Sequence, residues 1–287
     1  MIDRAGVRGA TVTDTWRTFR TAIGLGWAIE SNWSDPFLFA VFTVAKPLSA
    51  ALILVVMFQV ITGGQGTEFL QFMIVGSALW NVVIGVVSGM VQAILEDRER
   101  YRMLKYVVVT PTSLFPFLVG RSLARVLGSM VAVAVTLLVG VLFLDIELRP
   151  EPLYLTVASA VGLVAVMSLG LGMAGWCLQL RQEAWHYPEA IAGALYLVSG
   201  AIFPIDILPS VIQPIAYAMP TTWWLEASRR GLLGHGSPGT MGTISDGTVM
   251  LVLVVSTAVV LPLSLMAFAW FMRRAREAGL LDMTTGS

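Results

Sequence analysis

The chain has 287 residues, 56% of them hydrophobic and only 13% charged, with a formal net charge of zero and a mean hydropathy of +0.79. A water-soluble domain carries about 25% charged residues, so this is the composition of an integral membrane protein, and the neutral balance excludes a general basic field for nucleic acid. Cys177, His186 and His235 are the whole supply of cysteine and histidine, which excludes a disulfide framework and a zinc site built from those ligands.

Residues 1–36 read as a cytoplasmic N-terminal segment. Trp16, Phe19, Ile23 and Trp27 recur at three- and four-residue steps, with Arg17, Arg20 and Glu30 elsewhere on the wheel. That pattern predicts an amphipathic helix lying flat on the cytoplasmic membrane surface, where tryptophan and arginine suit the headgroup region. A helix packed against protein is the alternative. The first apolar run follows Asp35-Pro36 and is too long for the core of a cleavable signal.

That run, Phe37 to Ile61, would be about 37 Å long as a helix, enough to cross roughly 30 Å of hydrocarbon with some tilt. Further spans are predicted at Phe69 to Leu95, Phe117 to Leu144, Leu153 to Leu178, Ala190 to Phe203 and Val249 to Met272. Residues 37–287 thus read as one all-α domain of six transmembrane helices. Lys46 lies well inside the first span. A lysine there either snorkels toward the cytoplasmic face or contacts a substrate path or dimer seam. Gly85 with Gly89, and Ser168 with Gly172, are small pairs that permit close helix approach, here read as packing within one chain.

Between the second and third spans runs Glu96 to Ser113, EDRERYRMLKYVVVTPTS. Its charge density bars it from hydrocarbon. Tyr101, Leu104 and Val108 nevertheless recur at helical spacing, which predicts a short helix over about 96–109 offering an apolar stripe to another protein. Pro111 ends it. The competing reading is that these charges only set topology. Between Pro204 and Gly247, the apolar stretch Ile205 to Met219 is too short to cross and carries Pro209 and Pro214. It suits a re-entrant or interfacial helical hairpin in the outer leaflet, with a polar loop as the alternative.

Six spans with a cytoplasmic N-terminus put the eighteen Lys and Arg residues on the cytoplasmic side, except Lys46 within the membrane and Arg149, Arg229 and Arg230 outside. That asymmetry favours both termini inside. No lysine follows a P-loop glycine and precedes a hydroxyl residue, so this chain is not expected to hydrolyse ATP.

The motifs Glu99-Arg100, Leu104-Lys105, Thr110-Pro111 and Gly120-Arg121 resemble those of the membrane-spanning permeases of type-2 ABC exporters. Many members carry a glycine and a small hydroxyl residue where this chain has Arg102 and Met103. A second likeness runs through Gly200, Phe203-Pro204, Leu208-Pro209, Pro220 and Glu226 to Gly234, so that 204–233 looks like the family's extracellular re-entrant region. The resemblance implies that the charged segment is a coupling helix docking on a separate ATPase, with Glu96, Arg98, Glu99, Arg100, Tyr101, Leu104 and Lys105 as contact residues. It implies two such ATPase subunits carrying ATP and Mg, no cofactor in this chain, a second permease protomer (identical or related), and a plasma-membrane location. The implied direction is export, by alternating access along a path at the protomer seam. The lining residues it nominates are Phe72, Trp80, Asn81, Leu195, Ser199 and Phe203, joined by Lys46 from its position in the first span. A hydrophobic drug or natural product is the expected cargo, and a lipid or lipid-linked polysaccharide the alternative. An ion-coupled carrier would keep ionisable groups near the midplane, where only Lys46 lies. A membrane-embedded enzyme would need a Gly-x-Ser-x-Gly or HExxH pattern that the sequence lacks.

Overall fold

The computed structural model describes residues 12–31, 35–63, 67–104, 106, 114–180 and 186–280, and among them there are helices and turns but no strand. In chain order the helices are α1 (Val12–Ser31), α2 (Pro36–Thr62), α3 (Thr67–Leu95), α4 (Leu114–Leu144), α5 (Pro152–Cys177), α6 (Tyr187–Val198), α7 (Gln213–Ala218), α8 (Pro220–Leu233) and α9 (Asp246–Glu277). Among the described residues, four helical stretches are long and apolar enough to cross a membrane: Glu68–Arg100, Pro116–Leu144, Pro152–Cys177 and Asp246–Glu277. A shorter apolar stretch, Val44–Val60, lies within α2.

Local chemistry sets several helix ends. The Asp35 carboxylate accepts a hydrogen bond from the Phe37 amide at 2.8 Å, and Pro36 occupies the first turn, where a missing amide hydrogen does no harm. Gly63 closes α2 in the left-handed region at φ +64°, its amide bonded to the Gln59 carbonyl. Asp35-Pro36 thus starts the helix as expected.

The helix α3 is the axis of the molecule. It packs against α4 and α5 most extensively, and also against α2, α6 and α8. Ile74, Val83, Val86, Met90 and Ile94 along it are fully buried. By contrast α2, α4 and α9 turn exposed apolar side chains outward, Ile53 and Val56, Leu138 and Leu142, Leu251 and Met266 among them, surfaces suited to hydrocarbon rather than water. The Gly85–Gly89 pair faces Ser129 and Arg125 of α4, and Gly172 faces Ser264 of α9. The close approaches are therefore made within the chain.

Three regions differ from the sequence-based expectation. The fifth expected span, Ala190 to Phe203, is a helix of only 12 residues, about 18 Å long and too short by itself for roughly 30 Å of hydrocarbon. It stops because Gly200 takes φ +72°, after which residues 201–204 are irregular. The N-terminal helix α1 packs against protein along one face, the alternative reading offered for it. Ala22 is buried in the packing of α1 on α4, while Trp16 and Trp27 are 62% and 50% exposed. Finally, the deeply buried part of the 204–233 region is not the apolar stretch Ile205 to Met219 but α8, in which every residue except Leu232 is buried. It runs antiparallel to α5, Trp224 lying on Gly162 and Gly231 on Leu155, and it also touches α3 and α9.

Candidate functional site

Past Leu95, α3 does not simply stop. Glu96–Arg100 forms a widened helical turn, the Tyr101 amide bonding back to the Glu96 carbonyl at 2.9 Å. Such i→i+5 turns re-aim the side chains that follow a regular helix. The Met103 amide then bonds to the Asp97 carbonyl, which folds the chain sharply through Arg102 at φ +50°. A non-glycine residue in that region is strained by about 1–2 kcal/mol. The glycine common at this position in the resembling family is the residue such a conformation favours.

The turn is fastened to the foot of α4. Arg121 donates from one terminal nitrogen to Glu96 and from the other to Asp97, both at 2.8 Å. Arg125, one turn later, bonds Glu96 at 3.2 Å and also the Gln92 amide oxygen. Arg98 reaches the Leu178 carbonyl at 3.3 Å and the Glu99 carboxylate at 2.5 Å. Asp97 is fully buried and Arg98 is 2% exposed, so these charges are tolerable only because each is paired. One residue before Arg121, Gly120 lies against the backbone of α1, and a Cβ there would come 2.8 Å from the Phe19 carbonyl oxygen. The charged turn, the start of α4 and the middle of α1 therefore form one packed unit.

A second charged cluster sits at the opposite end, on α8. The Arg229 guanidinium carbon lies 3.8 Å from the centre of the Phe72 ring, and the group donates at 2.8 Å to the Gly200 and Ala201 carbonyls. Gly76 of α3 makes room for this, because a Cβ there would overlap both the Ala201 oxygen and the Arg229 guanidinium. Arg230 pairs with Glu226 at 2.7 Å and with Asp246 of α9 at 2.5 Å, and also bonds the Met241 and Ile244 carbonyls. Glu226 in turn accepts from the amide and hydroxyl of Ser237. Helix α8 and the 236–244 loop are thereby held by backbone carbonyls as much as by charge.

Outside this cluster, Asp206 accepts from both the amide and the hydroxyl of Thr240 at 2.6 Å. Those bonds hold its carboxyl below the usual carboxylate range.

The structure sorts the residues nominated from sequence. In the charged segment, Glu96, Arg98 and Leu104 are buried inside the chain, which turns them away from any partner; Glu99 is half-buried; Arg100 and Tyr101 are exposed. Lys105 lies outside the described residues, as do 107–113, so the apolar stripe through Val108 is not described. The expected continuous helix over 96–109 is interrupted at Tyr101–Met103. Of the pathway residues, Phe72, Trp80 and Ser199 are closed into the core, Phe72 beneath Arg229 and Trp80 stacked on Tyr196 at 5.1 Å. Asn81 and Leu195 are half-buried, and the Asn81 amide is engaged by the Ser77 and Ala78 carbonyls of its own helix. Only Phe203 and Lys46 of that set are exposed. Phe72, Trp80 and Ser199 are thus closed off by packing within a single chain, Phe72 by Arg229 of α8 and Trp80 by Tyr196 of α6. Sequence reasoning missed Asp97, Arg125 and the Glu226–Arg230 cluster as structural groups. Charges abutting an apolar span, with opposite charges at the foot of the next, were the available signal.

With this geometry in view, comparison with known families decides the assignment. The profile described as ABC-2 type transporter matches residues 24–233, well over half of the chain. The chain belongs to the ABC-2 type transporter family. No curated protein gave a significant match. As an ABC-2 membrane domain the chain is a multi-pass transport permease rather than a catalytic subunit, and membership implies association with an ABC ATPase partner. The matched region runs from the second half of α1 to the end of α8 and takes in the charged turn together with Glu226, Arg229 and Arg230.

Proposed function

We propose that this ABC-2 permease exports a hydrophobic or amphipathic compound, powered by two ATPase subunits that grip the charged turn. The observation that carries the reading is the fork from Arg121 to Glu96 and Asp97. Closure of the ATPase subunits on ATP would move the turn. Because the turn is ion-paired to α4, and α4 is packed on α1 through Gly120, the displacement would carry these elements together instead of flexing a loop. Exchange between inward-open and outward-open packings is then a population shift biased by contacts outside this chain.

In this proposal the polypeptide crosses the plasma membrane six times, α2 supplying the first crossing and α6 with the bends after it the fifth. Both termini are cytoplasmic, and α7 with α8 forms a re-entrant hairpin from the outer side. Two protomers enclose the path, and Phe72, Trp80 and Ser199, closed within one chain, do not line it. One observation favours lipid-like cargo as a second reading. Lys46 is exposed on a face of α2 that continues through Ser49, Ile53, Val56 and Val60, where a cation bordered by apolar side chains suits an anionic headgroup.

Reconstitution tests the proposal. Vesicles holding the permease and its ATPase subunit are expected to extrude a hydrophobic fluorescent dye when ATP is supplied, and to stop when the P-loop lysine of the ATPase is replaced. Movement of a fluorescent phospholipid in place of the dye would select the lipid reading. Solute uptake by the permease alone on an ion gradient would overturn both.

A further inference from the structure

Arg229 is a buried cation without a carboxylate of its own. It is 3% exposed, and among the described residues the carboxylates nearest in the cluster are committed elsewhere: Glu226 to Arg230 and to the amide and hydroxyl of Ser237, Asp246 to Arg230. One terminal nitrogen of Arg229 donates to both the Gly200 and Ala201 carbonyls, and the Phe72 ring covers the guanidinium. The Nε hydrogen is buried with no acceptor among the described residues. Beside the guanidinium lies a small cavity lined by Phe72, Ser199, Thr222, Glu226, Arg229 and Met241 among others, with a free volume of about 10 Å³. The hydroxyls of Ser199 and Thr222 are likewise buried without a partner among the described residues. Three unsatisfied polar groups, each able to donate a hydrogen bond, thus belong to the walls of one cavity.

We infer that this cavity binds a monatomic anion, chloride being the abundant one, held by the Arg229 guanidinium and the Ser199 and Thr222 hydroxyls. Size decides the class of guest. A free volume of about 10 Å³ takes the centre of one small particle, which leaves no place for a phosphate, a sulfate or the carboxylate of a larger molecule. Chemistry decides its sign. A guanidinium only donates and hydroxyls can turn their hydrogens inward, so the guest must accept. A water molecule would accept the same bonds, but it would leave the charge of Arg229 uncompensated, and a buried charge without a counter-charge is costly. A halide supplies acceptor and counter-charge together. The opposing influence is Glu226 in the same lining, and Arg230 balances it at 2.7 Å. Since Ser199 follows α6 while Thr222 and Arg229 belong to α8, the bound anion would tie the end of one helix to the buried face of the other. The inference concerns stability of this junction and does not rest on the cargo or direction of transport.

The experiment follows thermal unfolding of the full chain in mild detergent while sodium gluconate is exchanged for sodium chloride at constant ionic strength. The melting temperature of the wild type is expected to rise saturably, by about 3 °C or more, and bromide should act like chloride. Ser199→Ala combined with Thr222→Val removes two donors and keeps the guanidinium, so this variant should fold and require about tenfold more chloride for the same rise. Arg229→Met removes the charge and should abolish the response; if it does not fold, the double variant still decides. Crystals grown in bromide should show an anomalous scattering peak within hydrogen-bond distance of Arg229 Nε. A melting temperature that is the same in gluconate and chloride overturns the inference, the cavity then holding water at most. A chloride response that the double variant keeps in full, or a bromide peak only at other places, overturns it as well, because the halide then binds elsewhere. Transport is not measured in any arm, so each of these failures leaves the permease reading standing.

Discussion

Arg121 at the foot of α4 and Asp97 beyond the end of α3 are joined at 2.8 Å, their side chains 3% and 0% exposed. The same guanidinium holds Glu96 at 2.8 Å. Two adjacent carboxylates would repel each other strongly without a cation between them, so Arg121 is what allows the turn to lie against the bundle.

Arg121→Leu therefore leaves Asp97 buried without its ion-pair partner, beside a Glu96 that keeps only Arg125. The expected loss is about 3–5 kcal/mol, as for a broken buried ion pair. Thermal unfolding in detergent should show it as a large drop in the melting temperature, and Arg121→Lys, which keeps the charge but loses the fork, should fall between the two. A variant that melts with the wild type would show that the fork does not hold the turn.

At the other end, Gly162 of α5 lies under the Trp224 ring, which a Cβ there would overlap. Gly162→Val is expected to destabilise the protein by about 1–3 kcal/mol through overpacking. It should also loosen α8, read as faster labelling of a cysteine introduced at Ser228, whose wild-type side chain is buried. Combining it with Trp224→Ala should recover part of the stability, since the smaller residue removes the clash. Independent, additive losses would count against a direct contact.

Arg102→Gly should act in the opposite direction on the permease alone. Glycine adopts the positive φ at little steric penalty, so the variant is expected to be more stable by about 1 kcal/mol, a melting shift of a few degrees at most. If recognition of the ATPase subunit uses the arginine, the same variant should bind that subunit less well. A gain in stability with undiminished binding would separate strain from recognition.

The clip between Asp206 and Thr240 makes a pH prediction. The carboxyl is held below its ordinary value by hydrogen bonds from the Thr240 hydroxyl and amide. Its stabilising contribution is thus complete above the unfolded-state value of about 4 and is lost as pH falls through the lower folded-state value. Proteolysis within the 236–244 loop should accelerate at acidic pH below about 4 in the wild type, and Thr240→Val, which removes the hydroxyl donor, should bring that onset to higher pH. An onset unmoved by the substitution would mean that another group governs the loop.

Read along the chain, the sequence by itself determined the class of protein, the positions of its long helices and the place of the charged turn between α3 and α4. These follow from local requirements: a backbone in hydrocarbon must satisfy its own hydrogen bonds, so length and apolarity reveal a spanning helix, and a dense charged run must interrupt it. The two small-residue pairs were legible for the same reason, since a missing side chain is visible wherever it occurs. The tertiary structure alone decided which charges face inward. Nothing near Asp97 in sequence announces that Arg121, 24 residues on, will reach it, and nothing in the polar string TTWWLEASRRG marks α8 as deeply buried. Its charges are stabilised by the Ala201, Met241 and Ile244 carbonyls and by Asp246, groups that only folding gathers around one helix. Apolar burial is written into composition, whereas burial of charge depends on partners distant along the chain, and it is those partners that leave Arg100, Tyr101 and Arg102 as the outward face of the turn.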